Sequence, residues 1–191
     1  MIDWATDAAA TLSAGVVLVV PADRAVDPAF VVPKGATLVV AGGSSRSESV
    51  RCGLAAVPAD AEVICVHDAA RPFATHEIFE RVVAAVRSGA DAAVPAVDVA
   101  DTIKVVDPSG RVVATPDRST LRAVQTPQAF RAETLRAAHQ RGGDATDDAG
   151  LVEAGGGYVV VVQGDVDNRK VTSPADWEWA VQRATEVGSH R

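Results

Sequence analysis

Short apolar runs that are rich in valine recur along the chain, and segments with helical periodicity separate them. The runs lie at residues 16–20, 37–41, 62–66, 91–97 and 158–162. Their consecutive apolar positions are typical of strands that are covered on both faces of a parallel sheet. The helical patterns lie at residues 3–14, 47–57, 76–87, 131–140, 147–154 and 174–186. This order of elements predicts an α/β fold with a mainly parallel sheet.

The size and composition are those of a globular protein. A length of 191 residues fits a single domain, which we expect to span residues 1–191. The 48% of hydrophobic residues excludes a disordered chain. Because the formal net charge is −7, general nucleic-acid binding is not expected. Cys52 and Cys65 are too few for a disulfide framework or a zinc cluster, which favours a reducing compartment.

The sequence also indicates where the protein is located. No apolar segment reaches the roughly 18 residues that a membrane span requires. The first residues lack the basic and apolar regions of a secretion signal. We therefore predict a cytoplasmic protein that associates with no membrane.

Residues 101–125 depart from the α/β pattern. Short strands are predicted at residues 102–106, 111–115 and 121–125, with Asp107-Pro108-Ser109-Gly110 as a turn. Such an insertion indicates a β-hairpin arm. Because an arm that protrudes from a compact domain commonly packs on a second subunit, we predict a homodimer.

The loops that follow the predicted strands are the candidate ligand site, because doubly wound sheets bind ligands at the carboxyl ends of their strands. Gly42 and Gly43 follow the second run and open a helix, so backbone amides there can approach an anion or a base closely. An ordinary glycine turn with Ser47 as the helix cap is the alternative. The glycine motifs of dinucleotide-binding and Walker-type sites are absent from the sequence.

A carboxylate and an arginine follow the third run, in His67-Asp68-Ala69-Ala70-Arg71. Asp68 can hold a metal ion or substrate hydroxyls, while Arg71 either faces phosphate oxygens or fixes the loop. The alternative is a purely structural pair. His67 is interpreted as a packed, hydrogen-bonded histidine and not as a base, because its position places it beside the core.

Two later loops contain further polar residues. The loop at residues 144–148 enters a helix, and Thr146 or Asp147 as a helix cap is sufficient to explain it. The loop at residues 164–172 gathers two acidic residues, an amide and two cations after the last strand. This second loop is either a binding site or a solvated loop.

Taken together and in order, these motifs closely resemble the 2-C-methyl-D-erythritol 4-phosphate cytidylyltransferase family. The resemblance extends from about residue 15 to residue 177, and it implies a Rossmann-like sandwich of the nucleotide-diphospho-sugar-transferase type. The motifs are Gly42-Gly43-x-x-Arg46-x-x-Ser49-Val50, Val66-His67-Asp68-Ala69-Ala70-Arg71-Pro72, Asp101-Thr102-Ile103-Lys104, Asp117-Arg118-Ser119-x-Leu121, Gln125-Thr126-Pro127-Gln128-x-Phe130, Thr146-Asp147-Asp148-Ala149 and Asn168-x-Lys170-Val171-Thr172.

The resemblance implies the transfer of a cytidylyl group from CTP to 2-C-methyl-D-erythritol 4-phosphate, with release of pyrophosphate. Lys170 and Arg118 would be catalytic, with Arg118 reaching the neighbouring subunit's site from the arm. The other implied residues are Asp68, Arg71, Thr102 and Thr146 for the substrate, Gly42, Gly43 and Ser49 for the nucleotide, and Asp68 and Asp167 for a Mg²⁺ ion.

The sequence departs from the family at one place. The family begins with a strand, a glycine-rich loop that carries an arginine, and a Pro-Lys-Gln segment, and these 191 residues contain none of them. Lys34 follows a proline, but it lies in a predicted turn downstream and does not take that role. We therefore expect an N-terminally truncated domain that shows little or no transfer by itself.

Three alternatives remain open. The first is a catalytically impaired module for nucleotide binding or dimerisation. The second is a cytidylyltransferase for another polyol phosphate such as ribitol 5-phosphate, although Ala69 and Ala70 favour methylerythritol phosphate. The third is an α/β oxidoreductase, which the missing dinucleotide glycines disfavour.

Overall fold

The computed structural model describes residues 1–142 and 145–188. The strands are β1 Val17–Val20, β2 Leu38–Ala41, β3 Val63–Val66, β4 Ala92–Asp98, β5 Val105–Val106, β6 Val112–Ala114, β7 Arg122–Val124, β8 Gln128–Arg131 and β9 Val159–Gln163. The helices are α1 Ile2–Ala10, α2 Ala22–Ala25, α3 Arg46–Ala56, α4 His76–Arg87, α5 Ala132–Gln140, α6 Asp148–Ala154 and α7 Pro174–Gly188, with a 3-10 turn at Arg118–Thr120.

Strand β4 is the centre of a five-stranded sheet. Strand β9 pairs with it in parallel from Ala92 to Ala96. The other edge of β4 is shared, because β8 pairs antiparallel near Ala92 and Ala93 and β7 pairs antiparallel from Ala96 to Asp98. Strand β3 pairs antiparallel with β8, so β3, β4 and β9 all run in one direction. The predicted α/β class is confirmed, and β7 and β8 are antiparallel additions to it.

The core lies on both faces of β4. Ala92 and Val94 belong to one apolar cluster, which includes residues of β8, α5 and α6. Ala93 belongs to a second cluster with Val82 and Val86 of α4. Because successive side chains of a strand point to opposite faces, both faces of β4 must be apolar, which explains its continuous apolar sequence.

Strands β1 and β2 form a separate parallel pair. In the described part of the chain β1 pairs only with β2, and β3 pairs only with β8. Helix α3 packs on both strands of the pair, and its Leu54 shares a core cluster with Ile64 of β3. Helix α3 therefore joins the pair to the main sheet. Its first residue, Arg46, lies near the loop that follows β3, because it pairs with Asp68 there.

The predicted hairpin arm forms, but it is shorter than expected. Strands β5 and β6 pair antiparallel, and Asp107 Oδ1 accepts hydrogen bonds from the backbone of Ser109 and Arg111 in the turn. Gly110 in that turn has a φ of 85°, which favours glycine. The third predicted strand does not extend the arm, because β7 pairs with β4 and the chain is already buried at Gln125.

Three short elements were not predicted, namely α2, β8 and the 3-10 turn at Arg118–Thr120. Strand β8 has only four residues and polar ends, and its burial depends on pairing with β3 and β4.

In the described residues, no helix combines the length and the apolar character that crossing a bilayer would need.

Candidate active site

An ion pair joins two of the loops at the carboxyl ends of the parallel strands. Lys170, in the loop after β9, places its Nζ 2.8 Å from Oδ2 of Asp68, in the loop after β3. Arg46 places its Nε 3.8 Å from the other carboxylate oxygen of Asp68. Because the Lys170 side chain is 45% exposed, its ammonium group can still reach a ligand. The structure thus brings together two site residues that the sequence places far apart.

Arg71 fixes these two loops to each other. Its Nη1 donates to the Asn168 carbonyl at 2.7 Å, and its Nη2 donates to the Val124 carbonyl at 3.5 Å. The backbone amide of Val171 also donates to the Ala70 carbonyl at 2.8 Å. Of the two roles that the sequence left open for Arg71, these contacts support the fixing of the loop.

Two buried amide side chains, those of Asn168 and Gln125, hold the loop that contains Lys170 through hydrogen bonds. Asn168 is fully buried, and its Nδ2 donates to the Thr126 carbonyl at 2.8 Å. Gln125 donates from Nε2 to the Asp165 carbonyl at 2.7 Å. Sequence reasoning assigned no role to these residues, although Gln125 and Asn168 both occur in the quoted motifs.

His67 is a partly buried, neutral side chain. Burial lowers the pKa of His67 to about 4. Its Nδ1 lies 3.0 Å from Thr126 Oγ1, which accepts a hydrogen bond from the Asp68 amide, and its Nε2 lies 3.1 Å from the Arg71 carbonyl. These partners require the proton on Nε2. The interpretation of His67 as a packed histidine is confirmed.

The loop between β2 and α3 is tightly folded around its two glycines. The Gly43 amide donates to Ser49 Oγ at 3.2 Å. A Cβ atom at Gly42 would lie 2.7 Å from Ser49 Oγ, and one at Gly43 would overlap the Glu48 side chain. A side chain at Gly42 would therefore have to displace Ser49, and one at Gly43 would have to displace Glu48.

The helix cap of α3 differs from the one expected. Ser45 is the cap, and its side chain accepts from the Glu48 amide at 3.1 Å. Ser47, the expected cap, is a buried residue of the first turn. The helix begins one residue earlier than predicted because Arg46 already has helical geometry.

A buried carboxylate connects this helix to α5 and α6. Asp148 is fully buried; its Oδ2 accepts from Arg46 Nη2 at 2.8 Å and its Oδ1 lies 2.9 Å from His139 Nε2. Burial alone would raise the pKa of Asp148, but the hydrogen bond from His139 and the charge of Arg46 outweigh it and lower the pKa. The sequence contained Arg46 and Asp148 in motifs but gave no signal that they meet.

The remaining predicted site residues do not contact the Asp68–Lys170 pair through a described hydrogen bond or ion pair. Thr102 and Thr146 are exposed. Arg118 is exposed and donates to the Ala100 carbonyl at 2.7 Å. Asp167 forms an ion pair with Arg183 at 2.7 Å. Asp144, at the start of one predicted loop, lies outside the described residues.

A cavity of about 410 Å³ lies elsewhere, beside α5 and α6. Its lining includes Asp91, Glu133 and Arg141, which belong to none of the motifs. The candidate site is thus identified by the charged groups at the strand ends and not by the depth of a cavity.

Comparison with known proteins gives one consistent result. The family model for 2-C-methyl-D-erythritol 4-phosphate cytidylyltransferase matches residues 1–184. The chain is 49% identical over 176 residues to the protein of that name from Rhodococcus opacus (strain B4), covering 92% of this chain and 76% of the relative. It is 48% identical over 170 residues to the one from Nocardia farcinica (strain IFM 10152), covering 86% and 74%.

Solved structures agree with the sequence matches. The 2-C-methyl-D-erythritol 4-phosphate cytidylyltransferase from Thermus thermophilus superposes with a TM-score of 0.80 and 34% identity, covering 95% of this chain and 87% of that one. The 4-diphosphocytidyl-2C-methyl-D-erythritol synthase from Anaerococcus prevotii gives 0.85 at 28% identity, covering 96% and 88%. With the motifs in order and Asp68 and Lys170 in contact, the chain belongs to the 2-C-methyl-D-erythritol 4-phosphate cytidylyltransferase family.

Proposed function

We propose that the chain transfers the cytidylyl group of CTP to 2-C-methyl-D-erythritol 4-phosphate, forming a CDP-alcohol and releasing pyrophosphate. The observation that carries this proposal is the 2.8 Å contact between Lys170 and Asp68 at the carboxyl ends of parallel strands. Membership of the family supports the same reaction.

The reaction needs charge neutralisation and positioning more than a nucleophilic side chain. A phosphate oxygen of the polyol substrate attacks the α-phosphorus of CTP, and the bond from that phosphorus to the pyrophosphate oxygen breaks. The second pKa of a phosphate monoester is about 6, so the attacking group is mostly dianionic at neutral pH without a general base. The low pKa of His67, about 4, supports a mechanism in which it transfers no proton.

Lys170 is proposed to bind the substrate phosphate and to stabilise the negative charge that develops at the attacked phosphorus. Asp68 orients the ammonium group and accepts hydrogen bonds from substrate hydroxyls. Removing one preorganised donor of this kind commonly slows a reaction by about 10²–10³-fold. Thr102 and Thr146 are proposed to contact the substrate, and Arg71 supports the site by holding the loops together.

The glycine loop before α3 is proposed to bind the cytidine part of CTP. Gly42 and Gly43 have no side chain that would keep a flat base away from their backbone. Ser49 Oγ already accepts from the Gly43 amide and is proposed to contact the nucleotide from the same loop.

We also propose a homodimer in which Arg118 of each subunit completes the partner's site. The supporting observation is a group of exposed apolar side chains on the arm, which includes Val105, Val106, Val112 and Val113 at 45–58% exposure. Two inactive chains, Arg118→Ala and Lys170→Met, should then regain part of the transfer activity when mixed, because one hybrid site is intact. An equal mixture that stays inactive would contradict shared sites.

Mg²⁺ is the proposed cofactor, and Asp68 is the residue expected to hold it. Within residues 1–142 and 145–188 there is no group of three or more potential His, Cys, Asp or Glu ligands. That fits a Mg²⁺ ion bound through one carboxylate, with phosphates and water as its other ligands. When bound, the ion would neutralise charge on the triphosphate. Asp167 is the second proposed ligand. Its carboxylate pairs with Arg183, and the Asp68 carboxylate pairs with Lys170 and Arg46, so the ion would replace a cationic partner at either residue.

Methylerythritol phosphate is preferred over ribitol phosphate as the substrate because the relatives that carry the name act on it by their description. The cytoplasmic location stays a prediction. The following assay measures turnover directly.

The test is ³¹P NMR of the chain with CTP, Mg²⁺ and 2-C-methyl-D-erythritol 4-phosphate, at a protein concentration above that of CTP. The expected result is saturable binding of the polyol phosphate and formation of diphosphate and pyrophosphate signals, however slowly. Lys170→Met should remove binding, whereas Lys34→Met, which changes an exposed lysine in a turn, should not. Equal binding by both variants contradicts the proposal.

A further inference from the structure

Arg46 occurs in a motif of the sequence but has no part in the reaction proposed above. It is the first residue of α3 and follows the glycine loop directly. Its guanidinium lies between two carboxylates, with Nη2 at 2.8 Å from Asp148 and Nε at 3.8 Å from Asp68. One side chain therefore lies between the proposed nucleotide loop and the proposed polyol-phosphate crevice.

The end of Arg46 that faces away from the crevice is firmly held. Asp148 is fully buried and receives a second hydrogen bond from His139, which is itself 4% exposed. Removing either partner would leave a buried charge or donor unsatisfied, which is costly. The two hydrogen bonds therefore hold the Asp148 carboxylate, and through it the Nη2 end of Arg46.

On its other side, Arg46 is connected to Lys170 through Asp68. The contacts form an alternating series of basic and acidic side chains that joins α5, α6, α3 and the two loops after β3 and β9. In order, the series is His139, Asp148, Arg46, Asp68 and Lys170. Each candidate loop that the sequence indicated contributes one residue to this series. The loop that contains Thr146 does so through Asp148, two residues later.

We propose that Arg46 is a positioning residue, held by Asp148 and His139, which fixes the Asp68 carboxylate so that Lys170 faces the substrate phosphate. The proposal rests on the proposed function for its ligand. It assigns Arg46 no contact with the reacting atoms. Its effect is transmitted through Asp68.

The first measurement needs no ligand. The chain has three lysines, Lys34, Lys104 and Lys170, so the ¹H–¹⁵N spectrum of their ammonium groups is simple. Arg46→Gln should shift the Lys170 signal and leave the Lys104 signal, whose group donates to Thr115 at 2.9 Å, unchanged.

A matched control is available at the other end of α3. Arg136 donates to the carbonyls of Leu54, Val57 and Pro58 at 2.9–3.1 Å and takes no part in the series. Arg136→Lys should loosen the end of the helix and lower stability, yet leave the Lys170 signal in place. If Arg136→Lys moves that signal as much as Arg46→Gln does, the effect is general loosening and the proposal fails.

The second measurement is the Kd for 2-C-methyl-D-erythritol 4-phosphate. Arg46→Gln should raise it by about tenfold, the lower end of the losses found when an outer residue no longer orients a binding group. Asp148→Asn should raise it in the same direction. The double variant should match Arg46→Gln alone, because residues that act through one contact are not additive.

Arg46→Lys covers the case in which Arg46→Gln does not fold, because it keeps the charge but lacks the planar set of donors with which Arg46 faces both carboxylates. The proposal is overturned if the folded Arg46 variant binds the polyol phosphate with a Kd within twofold of that of the unaltered chain and its Lys170 signal is unshifted. If the unaltered chain does not bind the polyol phosphate, the proposed function fails, and the lysine spectrum still decides the role of Arg46.

Discussion

Acidification should destabilise this protein through His67. The ring is largely enclosed, with its two nitrogens bonded to Thr126 and to the Arg71 carbonyl and its centroid 5.3 Å from the centroid of the Phe79 ring. Burial lowers the pKa of His67 from its usual 6.5 to about 4. Between these two values the unfolded chain binds a proton that the folded chain does not.

The sign and size follow from the two pKa values. Because the pKa in the folded state is the lower one, the contribution to stability is complete above pH 6.5 and is lost as the pH falls towards 4. One pKa unit is worth about 1.4 kcal/mol, so the full loss is about 3 kcal/mol and the loss between about pH 7.5 and about pH 5 is about 2 kcal/mol.

Urea denaturation at these two pH values measures the effect. The free energy of unfolding of the unaltered chain should fall by about 2 kcal/mol more than that of His67→Gln over this range. His76→Gln is the matched control, because His76 is a partly exposed histidine of α4 and its removal leaves the His67 contribution in place. If His67→Gln shows the same pH dependence as the unaltered chain, the reasoning about burial is wrong.

Three further perturbations have definite expected outcomes. Gly43→Ala should weaken CTP binding with a small change in melting temperature, because the added methyl group overlaps Glu48 in the loop. The CTP-dependent thermal shift measures the loss of binding. Unchanged CTP binding would contradict the role proposed for this glycine. Leu135→Ala should cost about 2–5 kcal/mol in urea, because Leu135 is fully buried, whereas Val161→Ala on an exposed position should cost under about 0.5 kcal/mol. EDTA should stop transfer without changing the circular dichroism spectrum, because the proposed ion is held mainly by phosphates; unfolding by EDTA would contradict that.

The sequence predicted the frame of the fold well. The apolar run of β4 could be recognised because both of its faces are covered, and α4 was predicted with its observed bounds, His76–Arg87. Strand β8 could not be found in the same way. Its four residues begin with Gln128 and end with Arg131, and only pairing with β3 and β4 makes them a strand.

The contacts of the candidate site could also be predicted only in part. The contact between Asp68 and Lys170 could be expected, because the carboxyl ends of parallel strands meet at one edge of a sheet. The contact between Arg46 and Asp148 could not, because it depends on how α3, α5 and α6 pack. Ion-pair partners of this kind leave no periodic pattern in a sequence.

The most direct test of the account is the affinity of the chain for 2-C-methyl-D-erythritol 4-phosphate, measured by calorimetry for the unaltered chain, Lys170→Met and Lys34→Met. We predict saturable binding by the unaltered chain and by Lys34→Met, and a loss of affinity of roughly 10- to 100-fold for Lys170→Met, as expected when a charged hydrogen-bond donor is removed. Binding that is equally strong in Lys170→Met would show that the charged crevice at the strand ends is not the substrate site.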